Sequence, residues 1–193
     1  ESGPWVRAMR RLFYCGEWLE SHALHIHLLA APDYLGCKSV TELAGEYGSE
    51  VRRGLRLQAL GNRILGTLGG RSVHPVGARV GGFYSAPSGE QMRELLEACR
   101  LALPDAEELV RWVAKFDLEQ DEQTFLSVSL HHPHEYPLNE GRVIASDGLD
   151  IDIREYQHYF RESHLAHSTA LHSHYFAEGF VEGESGVPYL VGP

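Results

Sequence analysis

No C-x-x-C pair occurs anywhere in the 193 residues. The three cysteines, Cys15, Cys37 and Cys99, stand far apart, so spacing offers neither a zinc knuckle nor a redox pair. Each reads as a small buried hydrophobe. Cations are scarce as well. Against 27 Asp and Glu there are 17 Lys and Arg, and the net charge of −10 excludes an extended phosphate-binding face and hence a nucleic-acid partner. The longest apolar run, around Leu24 to Ala31, is broken by His25 and His27 and is too short to span a bilayer. Glu1 to Arg11 contains no apolar stretch of the signal-peptide kind. A reduced, cytoplasmic setting follows as the expectation. HEXXH, G-x-S-x-G and G-x-x-x-x-G-K-S/T are all missing, so the sequence carries no zincin, nucleophile-elbow or P-loop signature.

What is present is patterned for helix. A hydrophobic content of 43% suits one sizeable core, and the whole chain, 1–193, reads as a single domain. Val6, Met9, Leu12, Phe13, Leu19, Ala23, Ile26 and Leu29 keep a near-helical period, which predicts a long helix ending before Pro32. Ser39 with Glu42, and Ser88 with Gln91, are capping boxes. Ser49 is placed to cap a helix that Gly69-Gly70 ends. Pro104 either kinks the helix after Ser88 or starts another. Beyond Phe125 the pattern turns to strand, with a hairpin at Asp147-Gly148, a helix over 155–165 and a last strand over 187–191. The fold class expected is α+β, mainly α: a long-helix bundle with a small antiparallel sheet.

Twelve histidines make a metal site worth weighing. His22 and His25 share a helix face with Ser21 beside them, while His27 points elsewhere. No carboxylate stands between histidines at i, i+4 spacing, so a polar seam or a partner-facing surface accounts for them better than an autonomous zinc site. His131 to Pro137 reads as a surface loop, and His164, His167, His172 and His174 read as flanking a helix end, where imidazoles suit the dipole. Around His74-Pro75 the setting differs. Gly69, Gly70, Gly81 and Gly82 allow close backbone approach, and Arg71 and Arg79 bring fixed charge, so either a phosphate cradle or a packed turn fits.

Two stretches carry more information than this local chemistry: SHALHIHLL, Ser21 to Leu29, and GNRILGTLGGRSVHPVGARVGGFY, Gly61 to Tyr84. With LNEGR, DGLDI, HSTALH and YLVGP they resemble the large subunit of nickel–iron hydrogenases over essentially the whole chain, and the LNEGR and DGLDI pieces resemble the soluble, cytoplasmic branch linked to NAD(P) or coenzyme F420. The resemblance implies a nickel–iron centre with cyanide and carbon monoxide ligands, held by two C-x-x-C motifs near the ends of the intact subunit. It also implies a small-subunit partner with iron–sulfur clusters and diaphorase-type subunits beyond it. This chain resembles the segment between the motifs. No cofactor is therefore expected in it, and no catalytic residue or metal ligand is assigned. By the same resemblance His74, Arg71 and Arg79 belong near the small subunit, and Ser21, His22 and His25 on a helix behind the metal pocket. The start without Met and the PYLVGP end read as cuts in a longer protein, inactive alone, whose newly bared surfaces leave large apolar patches. Two other readings remain at this point: a metal-free scaffold similar to the quinone-reducing subunit of complex I, and a self-contained histidine-rich metal binder.

Overall fold

A proline opens the first helix. In a computed structural model, which describes residues 3–118, 122–137 and 139–191, α1 is Pro4–Leu24 with the proline in its first turn, where a missing N–H leaves nothing unpaired. The helix does not end before Pro32. It widens into a π-helical turn, His25–Ala30, and resumes as α2, Ala31–Tyr34. The Ala31 N–H reaches back five residues to the Ile26 carbonyl. Pro32 then falls in the first turn of the resumed segment, so the chain passes a proline that would otherwise break it.

Ser39 caps α3, Val40–Glu46, accepting from the Glu42 N–H. The returning Glu42 carboxylate accepts from the Lys38 N–H at 2.6 Å, one residue upstream of a regular capping box. α4, Gly48–Gly69, starts a residue before Ser49, whose hydroxyl donates to Glu50 instead of capping. It stops at Gly70, φ +80°, as the double glycine predicts. A two-residue ribbon follows, β1 Ala78–Arg79 against β2 Gly82–Phe83. The box at Ser88 is complete, with bonds of 3.1 and 2.7 Å, and α5 runs unbroken over Gly89–Val113. Pro104 is on the exposed side of that helix, where water can serve the carbonyl that its missing N–H leaves free.

The chain clusters into two compact units, Glu1–Gln120 and Asp121–Pro193. In the first, α1 and α4 run antiparallel: His27 meets Gly54, Glu20 meets Gln58 and Gly61, Gly16 meets Ile64, and Phe13 meets Gly69. Glycine makes this seam. A Cβ on Gly61 would lie 2.5 Å from the Glu20 nitrogen, and one on Gly16 2.7 Å from Ile64. Two apolar clusters flank it, one around Leu43, Val51 and Trp112, the other around Leu60, Ile64, Leu68 and Leu95.

The second unit holds a four-stranded sheet in the order β5 Asp150–Asp152, β4 Arg142–Ala145, β3 Ser127–His131, β8 Leu190–Val191. β8 pairs parallel to β3, so the sheet is mixed where an antiparallel one was expected. The Asp147-Gly148 hairpin forms, with only Gly148 at positive φ, +106°. Gly148 N–H donates to Ala145 and Ala145 N–H to Leu149, a three-residue loop rather than a two-residue one. The helix expected over 155–165 is a 3-10 turn and one α turn, α6 Tyr156–Tyr159, before the chain becomes β6, Phe160–His164, paired with β7, Leu171–Tyr175. Tyr156, Tyr159 and Phe160 mimic a helical period. Cross-strand pairing of Phe160 with Tyr175 overrides it. His164, His172 and His174 therefore sit on a hairpin and not at a helix end. Leu138 of LNEGR and the last two residues of PYLVGP lie outside the described residues. The α+β, mainly helical class is as the sequence led us to expect.

Candidate functional site: a glycine loop and a histidine-bearing helix end

The loop after α4 folds back on the helix that produced it. Val76 and Gly77 N–H groups both donate to the Gly69 carbonyl, at 3.0 and 2.8 Å, and Tyr84 N–H donates to Gly77. A Cβ on Gly77 would be 2.8 Å from the Gly69 carbonyl carbon, so glycine is required there by backbone approach. His74 adopts φ +50°, the one non-glycine residue at positive φ among those described. Such a conformation persists only where its surroundings enforce it. Arg71 enforces it here by donating from Nε to the His74 carbonyl. Pro75 and Phe13 close over Gly69 on the other side, and Phe13 meets Phe83 edge to face at 5.9 Å.

This pinned loop points its side chains outward. His74, Arg71 and Arg79 are exposed, as are Val73, Val76, Val80 and Tyr84. Val80, at the tip of the β1–β2 ribbon, is as exposed as an isolated residue, 103%. Arg79 lies 5.4 Å from the Tyr84 ring centre, which holds its charge beside the apolar group. The arrangement is a rigid backbone displaying an apolar, cationic surface. The loop amides at Val76 and Gly77 are engaged by the Gly69 carbonyl and so are not offered to an anion.

Ser21, His22 and His25 are elsewhere. All three are exposed near the C-terminal end of α1 and make no side-chain hydrogen bond among the described residues. The loop is fixed to α1 at Val6 and Phe13. Nine residues of helix from Phe13 to His22 amount to roughly 14 Å along the axis. The sequence-assigned residues thus form two separate groups.

The residue that sequence reasoning passed over is His27. It is fully buried, its Nδ1 3.0 Å from the Ala23 carbonyl, its ring stacked on Trp112 at 5.4 Å and 22°. Burial lowers its pKa below the usual histidine value; the hydrogen bond to the Ala23 carbonyl opposes this, Arg53 adds to it, and Glu50 opposes it least. A glycine inside a helical pattern, Gly54, was the available signal of a close neighbour.

A nickel–iron group needs soft thiolates. Cys15 is exposed, against the expectation of burial, while Cys37 is buried and Cys99 half-buried. Burial raises both the Cys37 and Cys99 thiols, the direction opposite to ligand chemistry. Among the described residues no three His, Cys, Asp or Glu side chains gather as a metal site. These residues do not fit the group.

Comparison with known proteins decides the relationship. The alpha subunit of sulfhydrogenase 1 from Pyrococcus furiosus is 34% identical over 181 residues, 92% of this chain and 42% of that protein. The vhu chain of the F420-non-reducing hydrogenase from Methanocaldococcus jannaschii is 24% identical over 97% of the chain. The chain is a homologue of hydrogenase alpha subunits. In structure, it is similar to a chain of the NAD+-reducing NiFe hydrogenase in its H2-reduced state, with a TM-score of 0.68 and 25% identity over 93% of the chain. It spans less than half the length of these proteins, 42%, 49% and 44% respectively. No family model matches it. Among the described residues no helix is long and apolar enough to cross a membrane.

Proposed function

We propose that this chain is the central segment of a cytoplasmic hydrogenase large subunit. The intact subunit would oxidise H2 reversibly and pass electrons to a small subunit carrying iron–sulfur clusters, and onward to diaphorase-type subunits. The observation that carries the reading is coverage. A relative matched over 92% of the chain is matched over only 42% of itself, and the chain holds no C-x-x-C pair with which to bind the metals. The segment alone is therefore inactive. When bound in the intact subunit, the nickel–iron centre supplies heterolytic H2 cleavage. This chain supplies scaffold and surface.

In that reading the His74 loop is the small-subunit docking element. Its support is physical: a strained, over-determined backbone presents Arg71, Arg79 and Tyr84, of residue types enriched at interface hot spots, together with exposed Val73, Val76 and Val80. Ser21, His22 and His25 would pack against the parts of the large subunit that hold the metals. Two measurements test this. The chain, produced in a host able to mature hydrogenases, should contain no stoichiometric nickel or iron and show no H2-dependent dye reduction; stoichiometric nickel would overturn the reading. Binding to a small subunit from the same operon should weaken at least ten-fold in Arg79→Glu, and unchanged binding would remove the loop from the interface.

A further inference from the structure

Among the described residues of the first unit two polar side chains are buried, His27 and Arg53, and both are under-partnered. The Ala23 carbonyl can only accept, so Nδ1 of His27 carries the ring proton and Nε2 of the neutral ring is an acceptor. Nε2 has no partner, nor have the Nε and Nη2 groups of Arg53. The Arg53 guanidinium lies 5.5 Å from the Trp112 ring centre, and the His27 ring stacks on that same indole. The ring cannot shift within its site. A Cβ on Gly54 would be 2.4 Å from His27 Cγ, so the imidazole already presses on the α4 backbone. This socket holds one permanent cation, and protonation of His27 would make a second without an anion to bond it. The charges that act on the ring are Arg53, opposing protonation, and Glu50, favouring it, both from α4; α5 contributes the Trp112 indole.

His27 also lies inside the π-helical turn, directly after His25 and Ile26. Such a single wide turn within a helix is rare and frequently marks a functional site. We infer that His27 is an acid-operated latch on this turn. Neutral, its ring is seated against Gly54 and stacked on Trp112; protonated, it leaves the socket, and the His25–Ala30 turn opens and carries exposed His25 away from Ser21 and His22, which stay on α1. A histidine buried as the neutral form responds to acid by expulsion or by unfolding its surroundings. Here the expelled element is a single turn, because α1 stays fastened to α4 by the Gly16–Gly61 contact further along.

The test is hydrogen exchange with NMR detection on the chain as it stands. Protection factors of the amides of residues 26–31, corrected for intrinsic rates, should fall at least ten-fold between pH 7.5 and pH 5.5, while the amides of residues 57–65 in α4 hold. The His27 ring signal should titrate with the same midpoint, below the ordinary histidine value of 6.5. His27→Phe should abolish the fall, and a His22→Gln, His25→Gln double variant should retain it. Constant protection in the wild type, a His27 ring titrating at or above 6.5, or the same fall in His27→Phe would each overturn the latch. Should His27→Phe fail to fold, the wild-type ring titration decides alone.

Discussion

The α1–α4 seam runs along a pair of helices, the His74 loop lies at one end of that pair, and the two are built on opposite terms. Along the seam glycines remove side chains so that backbones touch, and the glycines themselves, Gly16, Gly54 and Gly61, are buried. At the loop glycines let the backbone turn tightly, and the side chains they free face outward. One residue type serves cohesion in the first place and display in the second. The difference teaches that glycine-rich stretches in this chain cannot be read as one signature: what surrounds each glycine decides its use.

Substitutions should separate the two regions by size of effect. Leu57 lies in the seam with 1% of its surface exposed, and Leu57→Ala should cost about 4 kcal/mol in urea unfolding, as large-to-small changes in unyielding cores do. Gly61→Ala comes next. Ala gains about 1 kcal/mol of helix propensity, but its Cβ meets Glu20 backbone, which cannot move as a side-chain tip can. A net loss of about 2 kcal/mol is expected, and a stabilised variant would show that the two helices have room to part. Acid should weaken the seam less steeply. Because the His27 pKa is lowered on folding, the unfolded chain binds more protons just below the ordinary histidine value of 6.5. The stability contribution is complete above that pH and is lost as pH falls towards the folded-state value, by up to about 1.4 kcal/mol per pH unit. Urea midpoints of wild type and His27→Phe across pH 5–8 would show it. Smallest of all is the loop. Val80→Ser should leave stability within about 0.5 kcal/mol, and a large loss would mean that the tip is not free surface but part of a core.

Elements set by neighbours in sequence were legible; those set by distant partners were not. Ser88 with Gln91, the stop at Gly70 and the Asp147-Gly148 hairpin all rest on contacts within a few residues. Residues 160–164 depend on pairing with 171–175, so no local pattern announces them, whereas the strand at Leu190–Val191 was legible from its apolar run and only its parallel partner β3, some sixty residues away, was not. Pro32 reads as a stop because a π-turn leaves no mark in a hydrophobic period. The same holds for the sites. His74 stands out by its glycines and prolyl neighbour, and its positive φ justifies the attention. His27, set apart from His22 and His25 by the 3.6-residue rule, is buried by the wider turn and by Gly54, which lies in another helix.

The Gly16–Gly61 contact also bears on how α1 finds its place. A slip of one residue along α1 would bring Cys15 or Glu17 where Gly16 now lies, against Ile64 and the Gly61 carbonyl. Misaligned pairings are thus rejected by bulk alone, before any favourable contact is tested. The two helices recognise each other by volume that is absent, and their alignment is proofread by shape while the chain folds.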